Sequence, residues 1–460
     1  MKLSSGIIIM ALLGGLAFHG HAQKVITEIE FEKSKIDKLG GMVFNDSLFI
    51  TAESLSMGTQ TGKVSYWLRK DGSKRKVDLS KMGDKPIFAV SATAEEEYYY
   101  YLMEAKKAVT IKALVIEKKT GQSKIGSEEI LLAGNIYGSF VENNDLYLLN
   151  AVKGSFTLTL NKIHALTVVN NQLYNLSFDL GSSDASITHL RAAGTEFIPS
   201  NGIGNVKITK EHDAIWISVD EPKNPNANID DIKRLYKTSV IKLDRLNPEK
   251  SFVKSFFIDT QNFFISRIFN GYLFRVFQDS YFHCEVINIL TDENMFSRVL
   301  SRKYEFPNSN IYFRQIDYMI NRKTTSRPIS EIYTGFINVD TVSSGNYILT
   351  VGAWGEIKPT TPLVHFGLLG LLASAATQAI VRELSEGEKI FKYGHINISM
   401  DGQFNFTNNS NLIIQKIDDY EIENFKEKVE YKGYLASVGS VFAFYKVKKS
   451  NKLQVVEFER

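Results

Sequence analysis

The segment RIFNGYLFRV, Arg267 to Val276, constrains the fold more than any other stretch: two runs of β-branched and aromatic residues flank Asn270-Gly271. A two-residue type I′ turn needs positive φ at both central positions, and Asn-Gly adopts that at little steric cost, so the segment reads as an antiparallel hairpin. Similar phrases stand at MVFNDSLFIT (Met42 to Thr51), FVENNDLYLL (Phe140 to Leu149), ALTVVNNQLY (Ala165 to Tyr174) and TVSSGNYILT (Thr341 to Thr350). A chain written this way is a succession of small antiparallel units. Its 30 Phe and 21 Tyr against only 9 Pro suit extended structure with few interrupted ladders.

Taken in order, the units have a common plan. An alternating strand at Val25 to Phe31 precedes a unit with a hairpin at Asn45-Asp46, a strand KVSYWLR (Lys63 to Arg69) and a turn at Lys70-Asp71-Gly72-Ser73. Later units run from Ile87 to Leu132, Tyr137 to Leu180, Ala214 to the strand SFVKSFFI, and Phe263 to Leu300. A sixth starts near Phe336 and resumes at His395 to Phe406, and the last, Tyr434 to Phe458, supplies three strands only. Four-stranded meanders of about 45 residues with regular turn signals are the signature of propeller blades. The chain therefore resembles the β-propeller superfold: an all-β ring of four-stranded antiparallel meanders, seven blades, occupying residues 23–460 with inserted segments. In such a ring the N-terminal strand Val25 to Phe31 supplies the missing strand beside Leu453 to Phe458 and removes the open edges. The resemblance is to architecture alone, because the WD dipeptides, the paired-glycine kelch signature and the S-x-D-x-G-x-x-W box do not occur. The competing arrangement is two packed β-sandwich domains divided in the region Pro307 to Pro328.

Residues 1–22 have the mechanics of a cleaved signal peptide: Lys2, an apolar Ile7 to Phe18, and Gly20-His21-Ala22 before Gln23. Export to the periplasm or beyond is the expectation, and no cysteine follows the cleavage site to accept a lipoprotein anchor. The single cysteine, Cys284, forms no intramolecular bridge and sits in an apolar run, as a buried small hydrophobe does. With 54 basic and 51 acidic residues the signs nearly cancel, which argues against a general nucleic-acid footprint.

Two insertions interrupt the plan. One, about residues 221–235, is polar; the other, about 360–386, is helix-like and contains Leu363 to Val381 without a formal charge. Because strands resume on both sides, Leu363 to Val381 reads as a helix packed on the propeller, with a docking element for a partner or membrane surface as the second reading. Within the polar insertion, Asn224, Asn226, Asn228 and Asp230 place side-chain oxygens at alternate positions, as calcium loops do. Ile229 and Leu235 stand where an EF-hand needs glycine and a bidentate acid, so these four residues are candidates for a weak calcium site at most.

Catalytic signatures are missing. There is no G-x-S-x-G and no HExxH, and His164, His189, His212, His283, His365 and His395 have no ligand spacing. Neither a catalytic residue nor a cofactor motif is assigned. The run Tyr98 to Tyr101 should put two rings on each face of a strand, between neighbouring blades, and the basic cluster Lys70 to Lys76 reads as a solvated turn. His212-Asp213 and His283-Cys284-Glu285 read as turn and strand packing. The functional expectation is an exported, non-catalytic propeller scaffold in the bacterial cell envelope that binds a protein, glycan or other ligand. The alternative is a carbohydrate-active or other hydrolase with carboxylates at the channel mouth.

Overall fold

The structure, a computed structural model, describes residues 23–459 other than 31–37, 45–46, 57–58, 70, 84, 86, 106–107, 181–187, 190–205, 223–234, 260–263, 279–281, 301–310, 316–317, 323–333, 342–344, 358–389, 408–411, 426–428, 438–439 and 448–451. After β1 (Gln23–Glu30) the strands fall into sequential antiparallel meanders. Blade 1 is β2 (Lys38–Phe44), β3 (Ser47–Ser56), β4 (Thr59–Arg69) and β5 (Lys74–Val77). Blade 2 is β6 (Ile87–Ala92), β7 (Glu96–Ala105) and β8 (Ala108–Glu117), with β9 (Ser123–Ile125) and β10 (Ile130–Ala133) sharing its outer edge. Blade 3 is β11 (Asn135–Glu142), β12 (Asp145–Ala151), β13 (Thr157–His164) and β14 (Thr167–Asn175), with β15 (Thr188–His189) added parallel to β11. Blade 4 is β16 (Val206–Glu211), β17 (Ala214–Pro222), β18 (Leu235–Asp244) and β19 (Phe252–Asp259). Blade 5 is β20 (Phe264–Phe269), β21 (Tyr272–Gln278), β22 (Phe282–Asn288) and β23 (Asn294–Leu300). A hairpin of β24 (Ile311–Gln315) and β25 (Tyr318–Arg322) precedes blade 6, made of β26 (Thr334–Thr341), β27 (Tyr347–Ile357), β28 (Ile390–Met400) and β29 (Phe406–Thr407). Helix α1 (Leu412–Asn424) then leads to blade 7: β30 (Val429–Ser437), β31 (Ser440–Val447), β32 (Lys452–Glu459) and, as its fourth strand, β1.

From blade 7 through blade 1 to blade 6, neighbouring blades are joined by apolar seams. Ile29, Leu48, Leu68 and Phe442 join blades 7 and 1. Phe49, Trp67 and Tyr99 join blades 1 and 2, and Tyr100, Leu146 and Ile163 join blades 2 and 3. Leu149, Ile217 and Ile241 lie between blades 3 and 4, Trp216 and Leu273 between 4 and 5, and Phe274 and Ile337 between 5 and 6. The first strands of neighbouring blades approach one another, β30 with β2, β2 with β6, β6 with β11, β16 with β20 and β20 with β26, so they form the inner wall of a ring. Among the described residues seven sheets of four or five strands follow one another in a β-propeller-like fold, and the chain order of the seams from blade 7 through blade 1 to blade 6 does not divide into two separately packed sandwiches. The closing strand is where alternation placed it: β1 runs antiparallel to β32, with Val25 opposite Val456 and Ile29 opposite Leu453.

Tyr98 to Tyr101 show how period-two geometry builds the ring. Tyr98 and Tyr100 enter the blade 2–blade 3 seam, Tyr99 and Tyr101 the blade 1–blade 2 seam, and each ring is buried.

The turns follow their chemistry in most places. Asn270 and Gly271 have φ of 50° and 76°, and Asn143 and Asn144 have 51° and 66°, the left-handed pair of a type I′ hairpin. Phe44 lies opposite Ser47, leaving 45–46 as a two-residue connection, whereas Thr341 opposite Tyr347 leaves the longer loop 342–346. ALTVVNNQLY is different. Asn170-Asn171 lie within the continuous strand β14, and the reversal is at Ala165-Leu166, where Ala165 has φ 54°. Pairing along β13 outweighs the local preference of Asn-Asn, and the extra residue is absorbed by a register shift between Lys162 and Ile163.

A second difference is α1, a helix in the stretch between the sixth and last units, to which the sequence pattern assigns no element. Ile417 and Tyr420 pack on Val441, Ala443, Tyr445, Val456 and Phe458. Those residues form the face of blade 7 turned away from blade 1, so α1 covers the side on which a preceding blade would sit. The Tyr420 ring meets those of Phe458, Phe425 and Tyr445 at 5.5, 5.8 and 5.9 Å. Tyr420→Ala should therefore cost about 3 kcal/mol, read as a lower urea midpoint with unchanged secondary structure in the blades. An unaltered midpoint would show that α1 contributes nothing to blade 7.

The polar insertion is shorter than its sequence suggested: β17 continues through Pro222 and β18 starts at Leu235, so the connection is 223–234.

The two ends of the ring differ. One end carries the first-to-second and third-to-fourth strand turns, of which the longest is 245–251. The other carries the second-to-third turns and the blade-to-blade connections. From that end leave the chain segments 176–205, 223–234, 301–333, 358–389 and 408–428, all between the last strand of blade 3 and the first strand of blade 7. This is the insertion end.

Candidate functional site

In the seam between blades 4 and 5, strand alternation turns charged residues inward. On β16 and β17 the residues facing blade 5 include Lys207, Trp216 and Asp220, and on β20 and β21 those facing blade 4 include Ser266, Leu273 and Arg275. Trp216 and Leu273 form the apolar middle. Toward the insertion end the seam becomes ionic.

Asp220 is the hub. Its carboxylate pairs with the Lys207 ammonium, and Thr238 Oγ1 donates to Oδ1 at 2.8 Å. From blade 5, Ser266 N donates to Oδ2 at 3.0 Å and Ser266 Oγ to Oδ1 at 2.6 Å. Lys207 and Asp220 are 5% and 7% exposed, so both charges are held in a low-dielectric environment. One step outward, Arg275 Nη2 donates to Glu285 Oε2 at 2.7 Å while Nη1 reaches the Phe257 carbonyl at a long 3.4 Å. Burial pulls the Arg275 guanidinium below its ordinary range, and Glu285 and Asp220 oppose that shift. Arg275 Nε is buried without an acceptor. Arg275 also lines a surface cleft of about 360 Å³ with Lys254, Phe256, Phe257, Ile287 and Asp292. Lys254 spans its rim, donating to the carbonyls of Ile289 and Leu290 at 2.8 and 3.0 Å and to Asp292 at 2.9 Å.

At the turn end of the same seam, the Glu211 carboxylate reaches across to blade 5 and accepts Asn270 N–H at 2.8 Å. Burial raises its pKa, opposed by the backbone N–H groups of Asn270 and Gly271 and by Arg267. The neighbouring blade 3–blade 4 seam has a second polar clasp. Glu142 pairs with both Lys210 and Arg245, and the Arg245 guanidinium lies 5.2 Å from the Phe140 ring and 5.1 Å from that of Tyr147. Apart from Arg275 Nε, the charged groups named in these seams have partners within them. As arranged, they fix the relative position of blades; they do not converge on a shared reaction centre.

The residues singled out from the sequence are dispersed. Asn224, Asn226, Asn228 and Asp230, Leu363 to Val381, residues 1–22 and His365 lie outside the described residues. His164 pairs with Asp145 at 2.7 Å, His212 occupies a tight turn with φ 50°, and His283 stacks on Phe277 at 4.6 Å. Among the described residues no group of three His, Cys, Asp or Glu is placed to hold a metal ion. Cys284 is fully buried and burial pushes its thiol up, so it packs as a hydrophobe. The basic turn Lys70 to Lys76 is solvated where described, with Asp71 accepting Ser73 N–H at 2.8 Å and Lys74 reaching the Glu28 carbonyl at 2.9 Å. Nothing in the local sequence singles out Lys207, Asp220 or Arg275, and Glu285 reads only as strand packing beside His283 and Cys284, although Arg275 interrupts the apolar run YLFRVF of the Asn270-Gly271 hairpin and that interruption is the available signal.

Neither protein-family models nor curated proteins give a match to this chain. Solved structures do. The Dos1 propeller is similar over 95% of this chain and 96% of its own, with 8% identity and a TM-score of 0.37. Apo AztD from Citrobacter koseri is similar over 67% of each chain, with 10% identity and a TM-score of 0.30. A GH43_1 enzyme from Xanthomonas citri matches 62% of this chain and 92% of its own, with 9% identity and a TM-score of 0.26. At such scores these likenesses carry no argument about activity; the propeller rests on strand order, register and seams.

Proposed function

We propose that this chain is an exported, non-catalytic β-propeller that binds a protein or other ligand of the cell envelope through its insertion end. The observation that carries the reading is β15. Thr188–His189 pair in parallel with Gly138 and Ser139 on the free edge of β11, the edge turned toward the ring axis. A propeller enzyme that works at its channel mouth keeps that mouth open for convergent side chains, whereas here the connection between blades 3 and 4 returns to the inner wall. Two carboxylates of the inner strands, Glu142 and Glu211, are engaged with Lys210, Arg245 and Asn270 at the opposite end. The long connections all leave from one end, which is how a rigid ring presents a variable binding surface. Export rests on the tripartite character of residues 1–22.

The test compares the full chain with a variant in which 362–386 is replaced by a short Gly-Ser linker. The variant is expected to keep its far-UV circular dichroism, because β27 and β28 pair from Tyr347–Met400 to Ile357–Ile390 without residues of that segment. Binding partners recovered from an envelope fraction by the full chain should be lost or reduced with the variant. Loss of the β signal would place the segment in the core, and identical recovery by both proteins would remove it from the binding surface.

A further inference from the structure

We propose that Asn270-Gly271 is a latent deamidation site, kept closed by the Glu211 carboxylate across the blade 4–blade 5 seam. The chemistry is intrinsic to the dipeptide. The Gly271 amide nitrogen attacks Asn270 Cγ, the bond from Cγ to the carboxamide nitrogen breaks and ammonia leaves, giving a five-membered succinimide. Water then opens either imide carbonyl and leaves aspartate or β-linked isoaspartate at 270. One water is consumed and one ammonia released, so no oxidant, metal or enzyme is needed. Glycine is the most permissive residue after the asparagine, because no Cβ obstructs the approach and its backbone is the least restricted.

The turn has the accessibility that the reaction needs. Asn270 is exposed, and the position of a Cβ on Gly271 has no heavy atom within 4 Å. The conformation opposes it. Ring closure requires rotation about ψ and χ1 of Asn270 to bring the Gly271 nitrogen onto Cγ, and in a two-residue turn closed by Phe269 opposite Tyr272 that rotation displaces the turn backbone. Glu211 opposes the displacement by pinning the turn: it is 9% exposed, is anchored on the inner strand of blade 4, and its Oε1 holds Asn270 N–H at 2.8 Å. The Asn270 side chain is near the Tyr347 hydroxyl of blade 6. Deamidation would put a second carboxylate beside the buried Glu211 and replace the turn residue best suited to φ > 0. The modification would therefore loosen the seam irreversibly.

The test uses the full-length protein, incubated in mildly alkaline buffer either folded or unfolded in urea, with aspartate and isoaspartate at position 270 quantified by peptide mapping. Modification in the folded protein is expected to be at least about tenfold slower than in the unfolded state, as a locally protected turn requires. Glu211→Ala should recover most of that difference, and Glu211→Gln, whose amide oxygen still accepts an N–H, only part. Should Glu211→Ala fail to fold, Glu211→Asp is read in its place, since a side chain one methylene shorter falls short of Asn270 N–H. Equal rates in folded and unfolded wild-type protein would overturn the proposal, as would a folded Glu211 variant that deamidates at the wild-type rate.

Discussion

Deleting residues 23–30 is expected to lower the melting temperature sharply and to make the remaining protein prone to association. β1 is the fourth strand of blade 7, so its loss exposes the ladder edge of β32 from Lys452 to Phe458. It also removes Ile29, fully buried against Leu453, Val455 and Leu48 at the blade 7–blade 1 seam. Ile29→Ala alone should cost about 3 kcal/mol, because the cavity lies between two sheets that cannot collapse independently. The exposed pairs of Lys452 with Glu28 at 3.0 Å and Glu30 at 3.8 Å contribute little, so Glu28→Gln should leave the melting curve nearly unmoved. A deletion that melts with the intact protein would show that the strand pairing does not close the ring.

Asp220→Ala is expected to be the most damaging single substitution in the described seams, at about 3–5 kcal/mol, because it leaves the Lys207 ammonium buried without a counter-charge. It also strands the Thr238 and Ser266 hydroxyls and the Ser266 N–H, all of which donate to that carboxylate. The double variant Lys207→Met with Asp220→Leu should recover most of the loss, since an ion pair replaced by apolar residues of similar volume is often neutral. Urea denaturation of the two variants separates the cases. If Asp220→Ala is as stable as the double variant, the buried pair is not held in its charged form and the ionic account of the seam is wrong.

Why blades 4 and 5 should place a buried ion pair in a seam that could have been wholly apolar follows from specificity more than from stability. Blades of one ring resemble one another, and apolar faces tolerate sliding. An aspartate that must meet a lysine on its own blade and a serine on the next has one register. Glu211 with Asn270 at one end and Asp220 with Ser266 at the other tie the same two blades together across the apolar middle.

Much of this was written locally. Alternation fixed the faces of Tyr98 to Tyr101 before any partner was known, since side chains on a strand point alternately to either side. Asn270-Gly271 and Asn143-Asn144 determined their own hairpins through positive φ, and the three-stranded last unit together with an alternating N-terminal strand determined how the ring closes. All of these depend on neighbours in sequence or on a count of strands. Tertiary structure decided the rest. Asn170-Asn171 became strand because β13 offered a complete ladder, and Leu412–Asn424 became helix because blade 7 presented an apolar face to cover. The Lys207–Asp220–Ser266 cluster exists only where two blades meet. A charged residue in a strand declares by itself that it points to one side; whether that side is water or a partner's carboxylate depends on a residue distant in sequence, and only packing brings the two together.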